Sequence, residues 1–251
     1  MQLLVSVRNA AEALAALAGG ADIIDAKDPA AGALGAVSLP TFASITHCVP
    51  GTVPVSAALG EAGELDLDER VGAFGRTGAA FVKIGFARLA RGEVAALLAA
   101  ASTAGSASGT AVVAVAYADW PSVDSLCPDT IVELAGAGKV NGVLLDTADK
   151  AGPGLFGLLS EPQIGAWVHR VQSAGMFAAL AGQLAATDMA RICSTGADIV
   201  GVRGAACDNG RGGAISAGRV RQLSGALQDP MQRRHPIEDR LAVPARNSRQ
   251  R

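Results

Sequence analysis

The sequence has few aromatic residues, no strong excess of either charge and no long hydrophobic run. Each of these shortages excludes a type of core, a membrane span or a class of partner. Aromatic residues make up 4% of the 251 residues although 50% are hydrophobic, so a large core must consist of Ala, Val, Leu and Ile. Such side chains are typical of helices packed closely on a parallel sheet. No apolar run reaches the roughly 18–20 residues of a membrane span. The net charge of −2 gives no electrostatic reason to expect a nucleic acid partner.

Cysteine is scarce as well, and its spacing excludes two kinds of structure. The four cysteines lie far apart without a C-x-x-C pair, so they imply neither a disulfide framework nor a zinc site. No cluster with metal-ligand spacing emerges, and no metal or organic cofactor is expected. The N-terminus, MQLLVSVRNAAEAL, lacks a basic segment followed by a long apolar run and a cleavage site. We therefore expect a cytoplasmic protein.

Short apolar runs recur eight times along the chain and are separated by Ala-rich segments long enough for helices. The runs lie at 3–7, 22–27, 53–59, 81–86, 112–119, 142–146, 177–184 and 199–207. Near-continuous apolar runs of this length indicate parallel strands buried on both faces. Glycines that end the helical segments, as at Gly20, Gly78 and Gly196, are typical of helix C-caps. Eight βα units, with no G-x-G-x-x-G after the first strand, predict an α/β fold of the (β/α)8 TIM-barrel class.

Length and composition predict one domain followed by a tail. Barrels typically run about 250 residues as a single unit, and we expect the barrel to occupy residues 1–227. Residues 228–251 contain six arginines, three acids and three prolines with little periodicity. This composition predicts a basic, mobile tail outside the barrel. Barrels often associate, but no specific interface is recognisable, so a homo-oligomer stays an open alternative.

The lysines are the most informative residues because only four occur among 21 basic side chains. Active sites of barrels lie at the C-terminal ends of the strands. Lys27 ends the second apolar run, Lys83 lies inside the fourth, and Lys150 follows the sixth by four residues. These three lysines are therefore expected to meet at the catalytic face. Lys139 precedes the sixth strand and is expected at the opposite, surface end.

Two aspartates accompany these lysines at strand ends. Asp25 and Lys27 are two residues apart, which points both side chains to one side of the strand, and Asp25 is expected to orient Lys27 and move protons. Burial and neighbouring cations lower the pKa of a lysine and make it a nucleophile toward carbonyls or a base. Alternatively, Asp25–Lys27 and Asp146–Lys150 are structural ion pairs at the rim. Convergence of three lysines favours a catalytic function.

A phosphate site is predicted after the last two strands. Barrels often bind phosphate there through backbone N–H groups and a helix N-terminus. The seventh strand is followed by Gly182 and Gln183, and the eighth by Arg203 and Gly204. Glycines permit close backbone approach, and an arginine supplies a charge-assisted contact. The position of these residues, more than their identity, favours phosphate binding.

Four segments together resemble a known family. LLVSVRNAAEALAALAGGADIIDAKDPAAGALGA, FVKIGF, LLDTADK and IVGVRGAAC are similar, in order, to the (5-formylfuran-3-yl)methyl phosphate synthases of methanofuran biosynthesis. The resemblance implies a TIM-barrel lyase that condenses two molecules of glyceraldehyde 3-phosphate with loss of phosphate and water. It further implies that Lys27 forms a Schiff base, that Lys83 accepts a proton, and that three residues support them, namely Asp25, Asp146 and Lys150.

Two other functions fit the same residues. A Schiff-base (class I) aldolase acting on another sugar phosphate would use the same lysines and release a different product. A non-catalytic barrel that only binds a phosphorylated ligand is also compatible, because one fold hosts many functions. Analysis of the product distinguishes the aldolase from the synthase. Borohydride trapping of a covalent adduct distinguishes the non-catalytic barrel from either enzyme.

Overall fold

Residues 1–64 and 66–227 are described by a computed structural model, in which eight parallel strands close into one barrel. Each strand pairs with its neighbours in the chain, and the first pairs with the last. The strands are β1 (Gln2–Val7), β2 (Ile23–Ala26), β3 (Val55–Glu61), β4 (Phe81–Gly85), β5 (Ala111–Tyr117), β6 (Gly142–Asp146), β7 (Phe177–Leu180) and β8 (Ile199–Val202). The predicted barrel is confirmed, and the predicted tail at 228–251 lies outside the described residues.

Helices occupy the connections between the strands. They are α1 (Ala10–Ala18), α2 (Leu39–Cys48), α3 (Leu67–Arg76), α4 (Arg91–Ser108), α5 (Pro128–Ala137), α6 (Leu155–Leu158), α7 (Glu161–Ser173), α8 (Met189–Ser194) and α9 (Ala217–Leu227). The predicted stops at Gly20, Gly78 and Gly196 have φ values of 88°, 99° and 75°, the left-handed conformation that glycine adopts without strain. Within the described ranges, no helix combines the length and apolarity that crossing a bilayer requires.

Side chains alternate between the barrel interior and the helical layer. On β4, Val82 and Ile84 face the helices, whereas Phe81 and Lys83 face inward. Large apolar residues fill the lower interior, where the rings of Phe81 and Phe177 meet edge to face with centroids 6.0 Å apart. Burial of each such ring stabilises the fold by about 1.5–3 kcal/mol. Polar residues take over toward the C-terminal ends of the strands, so the interior is apolar below and charged at its mouth.

The junction of β1 with β8 is reinforced by a buried ion cluster, which we call the seam cluster: Glu12, Arg203 and Arg8. Glu12 lies in the first turn of α1 and is 5% exposed. Arg203 Nη1 lies 2.9 Å from Glu12 Oε2, and Arg8 Nη2 lies 2.6 Å from Glu12 Oε1. Burial alone would raise the pKa of Glu12, but the two guanidinium groups outweigh it and lower this pKa. The cluster ties the first helix to the last strand.

Candidate active site

The C-terminal mouth of the barrel holds a cavity of about 440 Å³ that contains the predicted lysines. Lys27, Lys83 and Lys150 all line it, together with Asp146. Its size is within the range of small-molecule sites, about 300–1,000 Å³. Lys139 is exposed and precedes β6, at the other end of the barrel. The structure therefore brings together the three lysines that the sequence places on the catalytic face.

Asp25 bonds to a different lysine from the one expected. Its carboxylate lies 2.7 Å from Lys83 Nζ and accepts hydrogen bonds from Ser6 at 2.7 Å and Ser56 at 2.8 Å. Both partners of the ion pair are buried. Burial alone would raise the pKa of Asp25, but the charges of Lys83 and Lys27 and the hydrogen bonds outweigh it and lower this pKa. The predicted Asp25–Lys27 pairing is wrong.

Asp25 pairs with Lys83 and not with Lys27 because of the spacing of side chains along a strand. Asp25 and Lys27 do face the same side, since the backbone N–H of Lys27 continues the ladder to Val7. Two residues along a strand span about 6.6 Å, so the Lys27 amine lies one layer nearer the mouth. Lys83 on β4 is in register with Ala58 of β3, and its amine reaches Asp25 on β2, 2.7 Å away.

Of the three cavity lysines, Lys27 is the one whose amine has no partner among the residues that the structure describes. Its side chain is buried and makes no hydrogen bond or ion pair with any residue of 1–64 or 66–227. Burial lowers the pKa of Lys27 to about 7, and the charges of Lys83 and Lys150 add to this, against the opposing effect of Asp146 and Asp25. A lysine amine that is half neutral at pH 7 is a nucleophile toward carbonyl carbon.

Lys150 confirms the pairing predicted for the end of β6. Its Nζ lies 2.6 Å from Asp146 Oδ1 and also donates to the backbone oxygen of Thr147. Asp146 is buried; burial alone would raise its pKa, but the charges of Lys150 and Lys27 lower it instead. The carboxylate is therefore ionised and fixed beside the Lys27 amine. Its negative charge favours the protonated form of Lys27.

The pKa of Lys27 fixes the pH range in which its amine reacts. We expect reductive labelling of Lys27 by a small aldehyde to rise through about pH 6–8 and then level off, because the neutral fraction saturates above a pKa near 7. Free Nα-acetyl-lysine in the same tube serves as reference, with a rise centred near 10.4. Peptide mass spectrometry at each pH measures both. A Lys27 profile that follows the reference would contradict the buried, neutral amine.

The predicted phosphate-binding residues line the same cavity, after the ends of β7 and β8. Gly182, Gln183, Arg203 and Gly204 all line it. The backbone N–H groups of Gly182 and Gly204 donate no hydrogen bond within the described part of the chain. Gln183 instead donates through Nε2 to the backbone oxygens of two residues after β6, Asp149 and Gly152. Free amides beside glycines are suited to an anion.

The Arg203 side chain is bonded to the protein itself. Besides Glu12, its guanidinium donates to the backbone oxygens of Ser6, Arg211 and Gly213. These contacts hold the loop after β8 against the barrel and leave the guanidinium little freedom to bind a substrate phosphate. Sequence inspection misses this because the acceptor Glu12 lies 191 residues away in the chain.

Arg211 is a further basic residue of the cavity that the sequence interpretation misses. It follows β8 within an N-G-R-G-G segment, and its Nη2 donates to the backbone oxygen of Gly32 at 3.0 Å. The glycines around it mark a tight loop, which is the signal that a reader of the sequence could have used. Among the residues described, no group of His, Cys, Asp and Glu is placed to hold a metal ion.

Comparison with known proteins shows a family match over most of the chain. The family model described as 4-HFC-P synthase matches residues 3–224. A (5-formylfuran-3-yl)methyl phosphate synthase from Methanopyrus kandleri is 39% identical over 233 residues, covering 90% of this chain and 98% of that protein. One from Methanothermobacter thermautotrophicus is 33% identical, with coverages of 90% and 99%.

Solved structures of other enzymes share the fold at low sequence identity. A 3-hexulose-6-phosphate synthase superimposes with a TM-score of 0.65 and 18% identity, covering 90% of this chain and all of that chain. A phosphoribosyl anthranilate isomerase from Thermus thermophilus gives 0.61 and 13%, with coverages of 90% and 98%. At these identities the likeness shows the barrel fold alone.

Proposed function

Since this chain belongs to the family of (5-formylfuran-3-yl)methyl phosphate synthases, which serve methanofuran biosynthesis, we propose that it condenses two molecules of glyceraldehyde 3-phosphate into that furan, with loss of phosphate and water. The observation that carries the proposal is the buried, unpaired Lys27 amine beside Lys83 and Lys150 in one cavity. An amine held in this state attacks an aldehyde carbon and forms a Schiff base after loss of water.

The Lys83–Asp25 pair is the proposed proton acceptor. Once the substrate is bound to Lys27 as an iminium, the adjacent C–H bond is acidic because the iminium accepts its electron pair. Lys83 lines the cavity, whereas Asp25 is fully buried behind Lys83. The Lys83 ammonium first releases a proton to solvent in the cavity, and the neutral amine, held by Asp25 at 2.7 Å, then removes the C–H proton. The enamine so formed attacks the second aldehyde.

The proposed site of the phosphate groups lies after the ends of β7 and β8. The free amides of Gly182 and Gly204 approach an anion closely, and Arg211 adds a positive charge at the same cavity. Asp146 is the counter-charge to the iminium, and Lys150 holds that carboxylate in place. The substrate is thereby bound between a cationic wall and the reactive amine, with its aldehyde directed at Lys27.

Incubation of the purified protein with glyceraldehyde 3-phosphate alone tests the proposed function. We expect an ultraviolet absorbance typical of a conjugated furan aldehyde to grow together with inorganic phosphate, and mass spectrometry to identify the product. Formation of a hexose bisphosphate without phosphate release would identify an aldolase instead. Binding without any product or any borohydride-trapped adduct would identify a non-catalytic barrel and contradict the proposal.

A further inference from the structure

A second depression opens at the mouth of the barrel, next to the lysine cavity. We call it the Glu61 depression, after the carboxylate that lines it. Tyr117 at the end of β5 lines it too, as do loop residues after β4, β5 and β6. The chemistry assigned to the lysines leaves both Glu61 and Tyr117 without a role.

Gly85 on the neighbouring strand leaves room for the Glu61 side chain. Glu61 ends β3 opposite Gly85 of β4, and its carboxylate passes over that glycine to accept a hydrogen bond from the Tyr117 hydroxyl on β5. A Cβ atom at position 85 would lie 2.5 Å from both carboxylate oxygens, so any side chain there displaces the group. The backbone N–H of Ala87 donates to the second oxygen at 2.8 Å. The carboxylate is therefore held in one position.

Tyr117 is held in its neutral form with its proton directed at Glu61. Its side chain is 1% exposed. Burial raises the pKa of Tyr117 well above its ordinary value, and the charge of Glu61 raises it further. A phenol whose single proton is donated to a carboxylate still has oxygen lone pairs free to accept. A ligand in the depression therefore meets a hydrogen-bond acceptor, which suits a hydroxyl group.

The depression is one strand away from the lysine cavity. Tyr117 is in register with Asp146 on β6, and neighbouring strands are about 4.8 Å apart. Asp146 lines the lysine cavity, whereas Ala148, two residues later, lines the depression. A small molecule in the depression thus lies next to one that is bound to Lys27. If the Tyr117–Glu61 hydrogen bond served only to stabilise the fold, no depression would be needed beside it.

We propose that the Glu61 depression is the subsite of the second triose phosphate, and that Glu61 and Tyr117 carry the proton of its hydroxyl group during ring closure. This inference rests on the proposed function. The ligand class is a small aldehyde with a neighbouring hydroxyl group, which Tyr117 recognises as a donor. Arg88 also lines the depression, and its guanidinium pairs with the Glu64 carboxylate at 2.7 Å.

The proton movement balances without any further reactant. The hydroxyl oxygen adds to a carbonyl carbon, and its O–H bond breaks as the new C–O bond forms. The released proton goes to the Tyr117 oxygen while the tyrosine proton goes to Glu61. The carbonyl π pair moves to its own oxygen, which takes the proton back through the same two groups. Both oxygens are then on one carbon, the carboxylate is regenerated, and the tyrosine is never ionised.

Two half-reactions separate this subsite from the lysine site. Schiff-base formation and exchange of the adjacent C–H with deuterium oxide need the lysine site alone, whereas furan formation needs both. We expect Tyr117→Phe to retain borohydride trapping and deuterium exchange within about twofold while furan formation falls about 100-fold or more, the range of general acid–base catalysis. Glu133→Gln, at an exposed ion pair on α5, is the matched control with both reactions unchanged.

Glu61→Gln distinguishes proton transfer from positioning. The amide oxygen still accepts the Tyr117 hydrogen bond, but the amide takes up no proton, so furan formation is expected to fall as in Tyr117→Phe. Furan formation at the wild-type rate in Tyr117→Phe would overturn this inference alone. Parallel loss of trapping and furan formation in a variant with unchanged thermal unfolding would also overturn it. Absence of both reactions in the wild-type protein would refute the proposed function and this inference with it.

Discussion

Lys27→Arg is expected to abolish the borohydride-trapped adduct and to lower furan formation by at least about 10⁴-fold, the scale of loss when a covalent nucleophile is removed. The guanidinium group keeps a positive charge and a similar length, but it stays protonated and forms no Schiff base. Adduct mass and peptide mapping measure the first effect, and furan absorbance measures the second.

Lys139→Arg is the matched control for this substitution, because Lys139 is exposed at the opposite end of the barrel. We expect it to keep both the adduct and the rate. An adduct that persists in Lys27→Arg and maps to Lys83 or Lys150 would reassign the Schiff base. That result would leave the lysine cavity as the active site while changing the role of each amine.

Asp25→Ala is expected to destabilise the protein by about 3–5 kcal/mol, because the substitution leaves the Lys83 ammonium buried without its counter-charge. Ser6 and Ser56 lose the acceptor of their hydroxyl protons as well. Chemical denaturation measures the free energy of unfolding. The same variant is expected to lose deuterium exchange, since the Lys83 amine is no longer held in the position from which it removes the proton.

The double variant Asp25→Leu, Lys83→Met separates stability from catalysis. It removes both charges and fills a similar volume, so it is expected to recover most of the lost free energy of unfolding, as replacement of buried ion pairs by apolar residues often does. Deuterium exchange should stay absent. An Asp25→Ala protein with wild-type stability would show that the ion pair does not stabilise the fold, and wild-type deuterium exchange in this variant would show that Asp25 does not position Lys83.

The strands were predictable because each is a near-continuous apolar run. A strand buried on both faces leaves this signature in local sequence, and the glycine stops mark where the helices end. The lysines were predictable for the same reason. A charged residue such as Lys83 within an apolar run is conspicuous. The rule that barrel active sites lie at the C-terminal ends of the strands then predicts the end of the barrel at which its side chain lies.

Partners across the barrel were not predictable in the same way. Whether Asp25 bonds to Lys27 or Lys83 depends on the height of each side chain within the closed barrel, which follows from strand register. The contact of Arg203 with Glu12 joins a strand end to a helix start, and no local pattern connects them. Glu61 reaches Tyr117 only because Gly85 leaves room, and this dependence involves three strands at once.

The seam cluster has a consequence for how the protein is made. A ribosome releases Glu12 early, and its buried partner Arg203 emerges only after 190 further residues. Until then the acidic group stays hydrated, and β1 has one edge without a partner. The barrel therefore cannot close before β8 has been synthesised, and until then β1 presents an unpaired edge of the kind that promotes aggregation.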